Sequence, residues 1–223
     1  MLFSMGLPAQ ETRPLVVLAT FSTSMADQTE GVKKNIAIAC DRIDGFIMKP
    51  GTVFSFNDIV GEGSAANGFV NGNVLYREGA VLEPGGGLCQ VSSTLFNAML
   101  MAGCTIVERH RHYQPVTYVP LGLDATIKYG KKDLRMKNPH NQSLVISATV
   151  SHKSLSIVIR GRNRLPFTYE MVTEEEGVPL PFDNDENVRP GVAVYIYRNK
   201  MKDGKVLESF LMYKDFYPPV RLP

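Results

Sequence analysis

The sequence predicts an α+β fold in which two main helices pack on a largely antiparallel sheet, with a β-rich C-terminal extension. Three observations lead there. Two stretches in the first half carry helical apolar periodicity, short strand-like runs crowd the chain after residue 104, and Asp203-Gly204 separates two apolar runs near the C-terminus. With 223 residues, 44% of them hydrophobic, the chain is long enough to bury a sizeable core. The expected division is a leader over 1–14, a main domain over 15–162 and a β-rich extension over 163–223.

In chain order, 15–21 reads as a buried strand. Residues 28–44 form a helix with Val32, Ile36, Ala39, Cys40 and Ile43 on one side and Gly45 as its stop. Residues 46–48 and 53–56 are short strands joined through Pro50-Gly51. The Gly- and Asn-rich stretch 60–72 reads as an irregular loop, and 74–76 and 80–82 as strands leading into Pro84-Gly85-Gly86-Gly87. A second helix then runs from about Cys89 to Ala102 and stops at Gly103. Its expected core stripe is Leu88, Val91, Leu95, Met99 and Ala102, with Cys89, Ser92, Ser93 and Phe96 off the stripe. Strands follow at 105–107, 116–119, 125–129 and 134–136, then a hairpin of 144–150 and 155–159. A Pro/Glu/Asp-rich segment connects to the last hairpin, 192–197 with 206–211, and the final Pro218-Pro219 reads as a tail.

Composition excludes some function classes. Twenty-four basic against 22 acidic residues leave a net charge of +2, too balanced for nucleic acid to be the expected partner. Arg160, Arg162 and Arg164 alternate, as a solvated strand face does. No apolar run approaches the ~18 residues that span a bilayer. Glu11 and Arg13 interrupt any signal-peptide core. The expectation is a chain without its own span, signal or anchor, compatible with the exported part of a longer product. Three cysteines, Cys40, Cys89 and Cys104, are too few and too widely spaced for a disulfide framework or a close-spaced metal motif. Cys40 and Cys104 lie in apolar surroundings and read as small buried hydrophobes. Cys89 is the one out of place.

A glycine run feeding a cysteine into a helix start lets backbone approach a ligand closely, and the first-turn amides favour a thiolate. Two readings of Cys89 follow: a nucleophile, or a structural thiol under a tight turn. The amides of Cys89 and Gln90 are candidate donors to the oxyanion of a tetrahedral intermediate. About twenty residues on, Glu108-Arg109-His110-Arg111-His112 supplies imidazoles, and on an extended segment His110 and His112 project from the same face. Asp124 is either a turn residue or the carboxylate that orients an imidazole. A zinc site using Cys89, His110 and His112 is the metal alternative; the preferred reading needs no cofactor and no metal. His140 and His152 fall in expected turns and read as solvated. The glycine run has neither the Lys-Ser/Thr of a nucleotide-binding loop nor dinucleotide spacing.

Several motifs, in order, carry a resemblance: Phe21-Ser22-Thr23-Ser24, Asn35-Ile36, Pro50-Gly51-Thr52-Val53-Phe54-Ser55-Phe56-Asn57, the run from Gly85 to Leu95, Glu108 to His112, and Pro120 to Thr126. Over roughly residues 15–160 the chain resembles the VanW family, named for a member encoded with bacterial glycopeptide-resistance genes. The resemblance implies cell-wall work: cysteine-dependent L,D-transpeptidation of peptidoglycan stem peptides on the outer face of the cell. It implies Cys89 as nucleophile, His112 as the preferred base, His110 as a second site residue and Arg109 as a ligand for the stem-peptide carboxylate. Gly86, Gly87, Gln90, Ser92 and Ser93 are the further candidates for substrate binding, and Asp124 as orienter is our own addition. Tyr113 stands where many relatives have a small hydroxyl residue. Two other functions compete: a noncatalytic module binding stem peptides or responding to glycopeptides, and a zinc-dependent hydrolase.

Overall fold

Thr29 opens the first helix, its hydroxyl accepting from the Val32 amide, while Glu30 and Arg42 sit at the ends where the helix dipole favours their charges. The computed structural model describes residues 14–76, 79–178 and 188–221. Strand β1 (Val16–Ser24) precedes this helix, α1 (Glu30–Ile43), which is followed by β2 (Ile47–Met48), β3 (Val53–Ser55) and a short helix α2 (Phe56–Val60). A 3-10 turn (Ala65–Asn67) leads to the hairpin β4 (Asn71–Tyr76) and β5 (Gly79–Pro84), then to helix α3 (Leu88–Met101). Next come β6 (Thr105–Glu108), β7 (Arg135–Lys137), β8 (Leu144–Val150) and β9 (Ser154–Gly161). The C-terminal part holds β10 (Thr168–Val178), β11 (Val188–Arg189), β12 (Gly191–Lys202), β13 (Lys205–Tyr217) and β14 (Val220–Arg221).

Every ladder is antiparallel. The main sheet has the order β1-β9-β8-β2, a smaller one β3-β7-β6, and the C-terminal part adds β10-β12-β13. The two long helices on antiparallel sheets and the β-rich C-terminus are the expected fold class. Helix α1 buries Val32, Asn35, Ile36, Ala39, Cys40 and Ile43, a one-sided stripe. Helix α3 differs from expectation: every residue from Gln90 to Leu100 is buried, so it runs through the core instead of lying on it. Its polar residues survive there because each has a partner. Thr94 donates to Gln90 O at 2.7 Å, and Asn97 donates to Leu123 O at 2.7 Å. Cys40 and Cys104 are buried, and burial pushes both thiols up to about 12.

Other expectations need correction. Residues 116–119 and 125–129 are not strands; the second is bonded to α3 side chains instead of a ladder, and the first packs against the C-terminal sheet. Helix α2 follows β3 directly because Ser55 caps it, accepting from Asp58 N at 3.1 Å. Part of the acidic connector is strand β10, its side chains exposed or half-buried beside β12, and β14 follows Pro218-Pro219 and pairs with β11. The His140 ring, expected in solvent, donates to Ala102 O at 2.8 Å. The leader expected over 1–14 lies, Pro14 apart, outside the described residues, as does 179–187 of the connector.

The last hairpin turns at Asp203 and Gly204, both at positive φ, as the sequence predicts. Val194, Ile196 and Tyr217 pack against Val119 and Leu123 in a second apolar cluster. The C-terminal sheet is thereby seated on the segment that carries Asp124.

Candidate active site

The loop before α3 is built from close backbone contacts. A Cβ on Gly86 would meet Gly72 backbone atoms at 2.3–2.7 Å, and Gly87 adopts φ 105° against Val32 and Ile36 of α1. Only glycine meets both demands without displacing its neighbours. Asn35, fully buried on α1, fixes the loop from inside, donating to Val70 O at 2.8 Å and Gly86 O at 2.9 Å and accepting from Val70 N at 2.8 Å. Gly86 and Gly87 therefore shape the loop, and Gly87 also lines a cavity beside Cys89.

At the start of α3 the Gln90 and Val91 amides bond to Gly87 O at 3.0 and 3.3 Å, and the Leu88 amide to Gly85 O at 3.2 Å. The Gln90 amide, expected as an oxyanion donor, is thus engaged in the turn. Among the described residues the Cys89 amide is the first-turn donor of α3 without such a bond.

The Cys89 sulfur lies 3.4 Å from Thr126 Oγ1 and 3.8 Å from Ile127 O, and the His112 imidazole borders the same two cavities, near enough for its charge to act on the thiol. His112, only 5% exposed, donates from Nδ1 to Asp124 Oδ2 at 2.6 Å, and its backbone amide donates to the same oxygen at 2.6 Å. Asp124 Oδ1 accepts from Tyr217 OH at 2.8 Å and Arg109 Nη2 at 3.0 Å. Four donors on one buried carboxylate hold it as an anion in a fixed orientation. A carboxylate, the imidazole hydrogen-bonded to it and a sulfur beside that imidazole thus stand together at one site.

The electrostatics follow from that arrangement. Burial pushes the Cys89 thiol up, but the His112 hydrogen bond and charge, with the Thr126 hydroxyl and a backbone bond from Ile127, bring it below its ordinary value. Burial opposes charge on His112 too; Asp124 and Cys89 overcome it and raise the imidazole to about 9. At Asp124 the raising effect of burial is outweighed by His112 and Arg109, so the carboxyl lies below its usual range. Both shifts act in the direction of a thiolate–imidazolium pair.

Other sequence candidates stand elsewhere. His110 is turned away, its Nε2 3.0 Å from Glu108 Oε1, and lines neither cavity at Cys89. The His110 and His112 rings turn to different carboxylates, Glu108 and Asp124, so the shared face expected for them does not hold. That also separates two of the three ligands of the zinc alternative. Arg109, expected at the substrate carboxylate, has a 6% exposed side chain behind Asp124. It donates to Asp215 Oδ2 at 2.6 Å and to the carbonyls of Asp124 and Gly122 at 2.7 and 3.1 Å. Ser92 and Ser93 are sealed: both hydroxyls bond to Cys89 O and Ala125 O, clamping α3 to the Asp124 segment. Gln90 holds Thr23 Oγ1 at 3.0 Å and Ser24 O at 2.7 Å, and accepts from Gln28 at 3.0 Å, though it borders one cavity.

Sequence reasoning missed Tyr213, Asp215 and Tyr217 of β13. Tyr213 OH donates to Gly122 O at 2.8 Å and its ring lies 4.9 Å from the Arg109 guanidinium; Tyr217 OH bridges Gly122 N and Asp124. Their alternation, with Asp215 between, was the available signal: a strand facing solvent rarely repeats Tyr-x-Asp-x-Tyr on one side. Thr126 and Tyr118 were missed too; the Tyr118 ring stands edge-on to His112 at 6.4 Å.

Two cavities, about 350 and 480 Å³, meet at Cys89 and His112. Val74 and Leu75 of β4 border both. Among the described residues no helix is long and apolar enough to cross a membrane, and no group of three or more His, Cys, Asp or Glu is disposed to hold a metal.

A family model described as "VanW like protein" matches residues 32–160. The uncharacterized protein YoaR of Bacillus subtilis (strain 168) is 37% identical over 131 residues, 59% of this chain and 43% of that protein. The vancomycin B-type resistance protein VanW of Enterococcus faecalis (strain ATCC 700802 / V583) is 29% identical over 126 residues, 54% of this chain and 46% of that protein. The chain spans less than half the length of these relatives, and no solved structure matches it. The family match begins inside α1 and ends within β9, taking in the glycine loop, Cys89, His112 and Asp124 but none of the C-terminal sheet. On that match over more than half its length, the chain belongs to the VanW family.

Proposed function

We propose that this chain is a cysteine acyltransferase domain acting on peptidoglycan stem peptides, an L,D-transpeptidase with L,D-carboxypeptidase activity when water replaces the amine. The observation that carries the reading is the grouping of the Cys89 sulfur, His112 and Asp124, opening where two cavities meet. The substrate class comes from the family resemblance, and with it the outward, wall-facing location.

In the first half-reaction the Cys89 thiolate attacks the carbonyl of a diaminoacyl–D-alanine bond, forming the S–C bond. The Cys89 amide donates to the oxyanion, a contact worth about 3 kcal/mol where such a donor is well placed. His112 then gives its proton to the departing nitrogen, the C–N bond breaks, D-alanine leaves and a thioester remains. In the second, a neutral amine attacks the thioester and passes a proton to His112. The new C–N bond forms, the C–S bond breaks and the thiolate and imidazolium return. Asp124 keeps Nδ1 protonated throughout, so that Nε2 faces the sulfur.

Incubation with tetrapeptide muropeptides, read by mass spectrometry, tests this. A Cys89 acyl adduct and released D-alanine are expected, both lost in Cys89→Ser. Neither adduct nor release from the intact protein overturns the proposal, and retained stem-peptide affinity in that case would favour a binding module.

A further inference from the structure

The two cavities at Cys89 differ in charge. Among the described residues the smaller is bordered, besides Cys89 and His112, by neutral groups such as Gln28, Asn73, Gln90, Thr117 and Val116, with no Asp, Glu, Lys or Arg. The larger is bordered by Glu62, Glu83, Lys128 and Lys132. Among the described residues none of these four is in an ion pair. Glu83 accepts from Tyr76 OH, and the Lys128 ammonium lies 5.2 Å from the Tyr76 ring centre, so one aromatic residue of β4 organises a charge of each sign. Two cations and two anions around one concavity suit a ligand that itself carries both signs.

We infer that the larger cavity is an α-amino-acid subsite, taking the leaving D-alanine and then the acceptor's amine-bearing carbon with its adjacent carboxylate, while the neutral cavity holds the acyl part of the donor. This rests on the acyltransferase reading above. The chemistry makes one subsite serve both partners. The amine that attacks the thioester must approach along the line on which the first amine departed, and both groups are a nitrogen next to a carboxylate-bearing carbon. Lys128 and Lys132 meet the carboxylate, and Glu62 and Glu83 meet the ammonium, which loses one proton to solvent before the neutral amine attacks and passes the second to His112. When the acceptor nitrogen bonds to the acyl carbon, the C–S bond breaks and the thiolate leaves. No further reactant enters. The neutral side matches the amide-rich, uncharged backbone of an acyl donor.

Ligand-observed NMR on the Cys89→Ser protein reads binding without turnover, using D-alanine, N-acetyl-D-alanine and D-alaninamide at about 10 mM each. D-Alanine is expected to bind, with each capped analogue at least fivefold weaker. The Lys128→Met/Lys132→Met double variant should weaken D-alanine about tenfold. Glu62→Gln should weaken D-alanine severalfold and leave D-alanine and N-acetyl-D-alanine closer in affinity. If the lysine variant fails to fold by thermal melting, the Glu62→Gln result decides. Absence of D-alanine binding, equal binding of the three ligands, or indifference to these substitutions overturns the subsite. Stem-peptide turnover without D-alanine binding would leave the acyltransferase standing and refute the subsite; D-alanine binding without any Cys89 adduct would do the reverse.

Discussion

Replacing Tyr217 by phenylalanine removes one oxygen from the C-terminal strand and tests whether that strand holds the candidate active site together. The hydroxyl is buried, 2.8 Å from Asp124 Oδ1 and 3.0 Å from Gly122 N. A hydrogen bond to a charged acceptor contributes about 1.5–3 kcal/mol, and a buried amide left unpaired costs about 1–3 kcal/mol. The two overlap, so a loss of roughly 2–4 kcal/mol is expected. For a chain of this size each kcal/mol lowers the melting temperature by about 2–4 °C, giving a fall on the order of 10 °C. Tyr195→Phe is the internal control, because its hydroxyl sits on the exposed side of the same sheet with Glu176 at 2.9 Å and Lys214 at 2.7 Å. Exposed pairs of that kind contribute at most about 1 kcal/mol. Thermal melts of both variants, with the rate of stem-peptide turnover, provide the readout. Equal and small shifts, with turnover intact, would refute the claim that β13 braces Asp124.

Asp124→Asn should retain bound stem peptide but lower turnover by about 10⁴, the loss seen when the orienting carboxylate of a nucleophilic triad becomes an amide; steady-state kinetics beside a binding assay separates the two. The opposed shifts of Cys89 and His112 predict a particular pH response. The raised value of His112 contributes stability that is complete below about 6.5 and lost as pH rises through about 9, while the lowered value of Cys89 contributes in the opposite sense, so the two offset each other in the parent. In Cys89→Ala, His112 stands alone with its value still raised by Asp124, so its stabilisation is complete below 6.5 and lost as pH rises through the folded value. Melting temperatures across pH 6–9.5 should therefore decline for the variant more steeply than for the parent, and parallel curves would contradict the ion pair. Gly86→Ala drives a methyl into the Gly72 backbone and should cost more than about 3 kcal/mol, above the usual range for overpacking, by urea unfolding; a wild-type midpoint would contradict that contact.

Local signals in the sequence mark the elements that depend on local physics. The periodicity of α1, the Gly-rich entry to α3, the hairpin of β8 and β9 and the Asp203-Gly204 turn all follow from nearby residues. The proximity of Cys89, His112 and Asp124 is also foreshadowed by type and spacing, although their roles remain proposals. What the sequence conceals is long-range. Ser92, Ser93, Gln90 and Arg109 have the chemistry of ligand-binding groups, and only the fold reveals that each is occupied by protein partners. Residues 125–129 have strand composition, yet the Ala125 backbone is held by α3 hydroxyls and the Thr126 amide by His110 O, contacts no periodicity encodes. Tyr217 is 93 residues from Asp124, and no nearby residue announces that pairing.

The bare backbone contact between Gly72 and Gly86 ties the base of the β4–β5 hairpin to the turn that presents the sulfur. The two cannot separate without opening a gap on both sides, so the hairpin is hinged at a point with no side chain to slide. Val74 and Leu75 of that hairpin, which border both cavities at Cys89, are thereby held from the same fixed point as the sulfur.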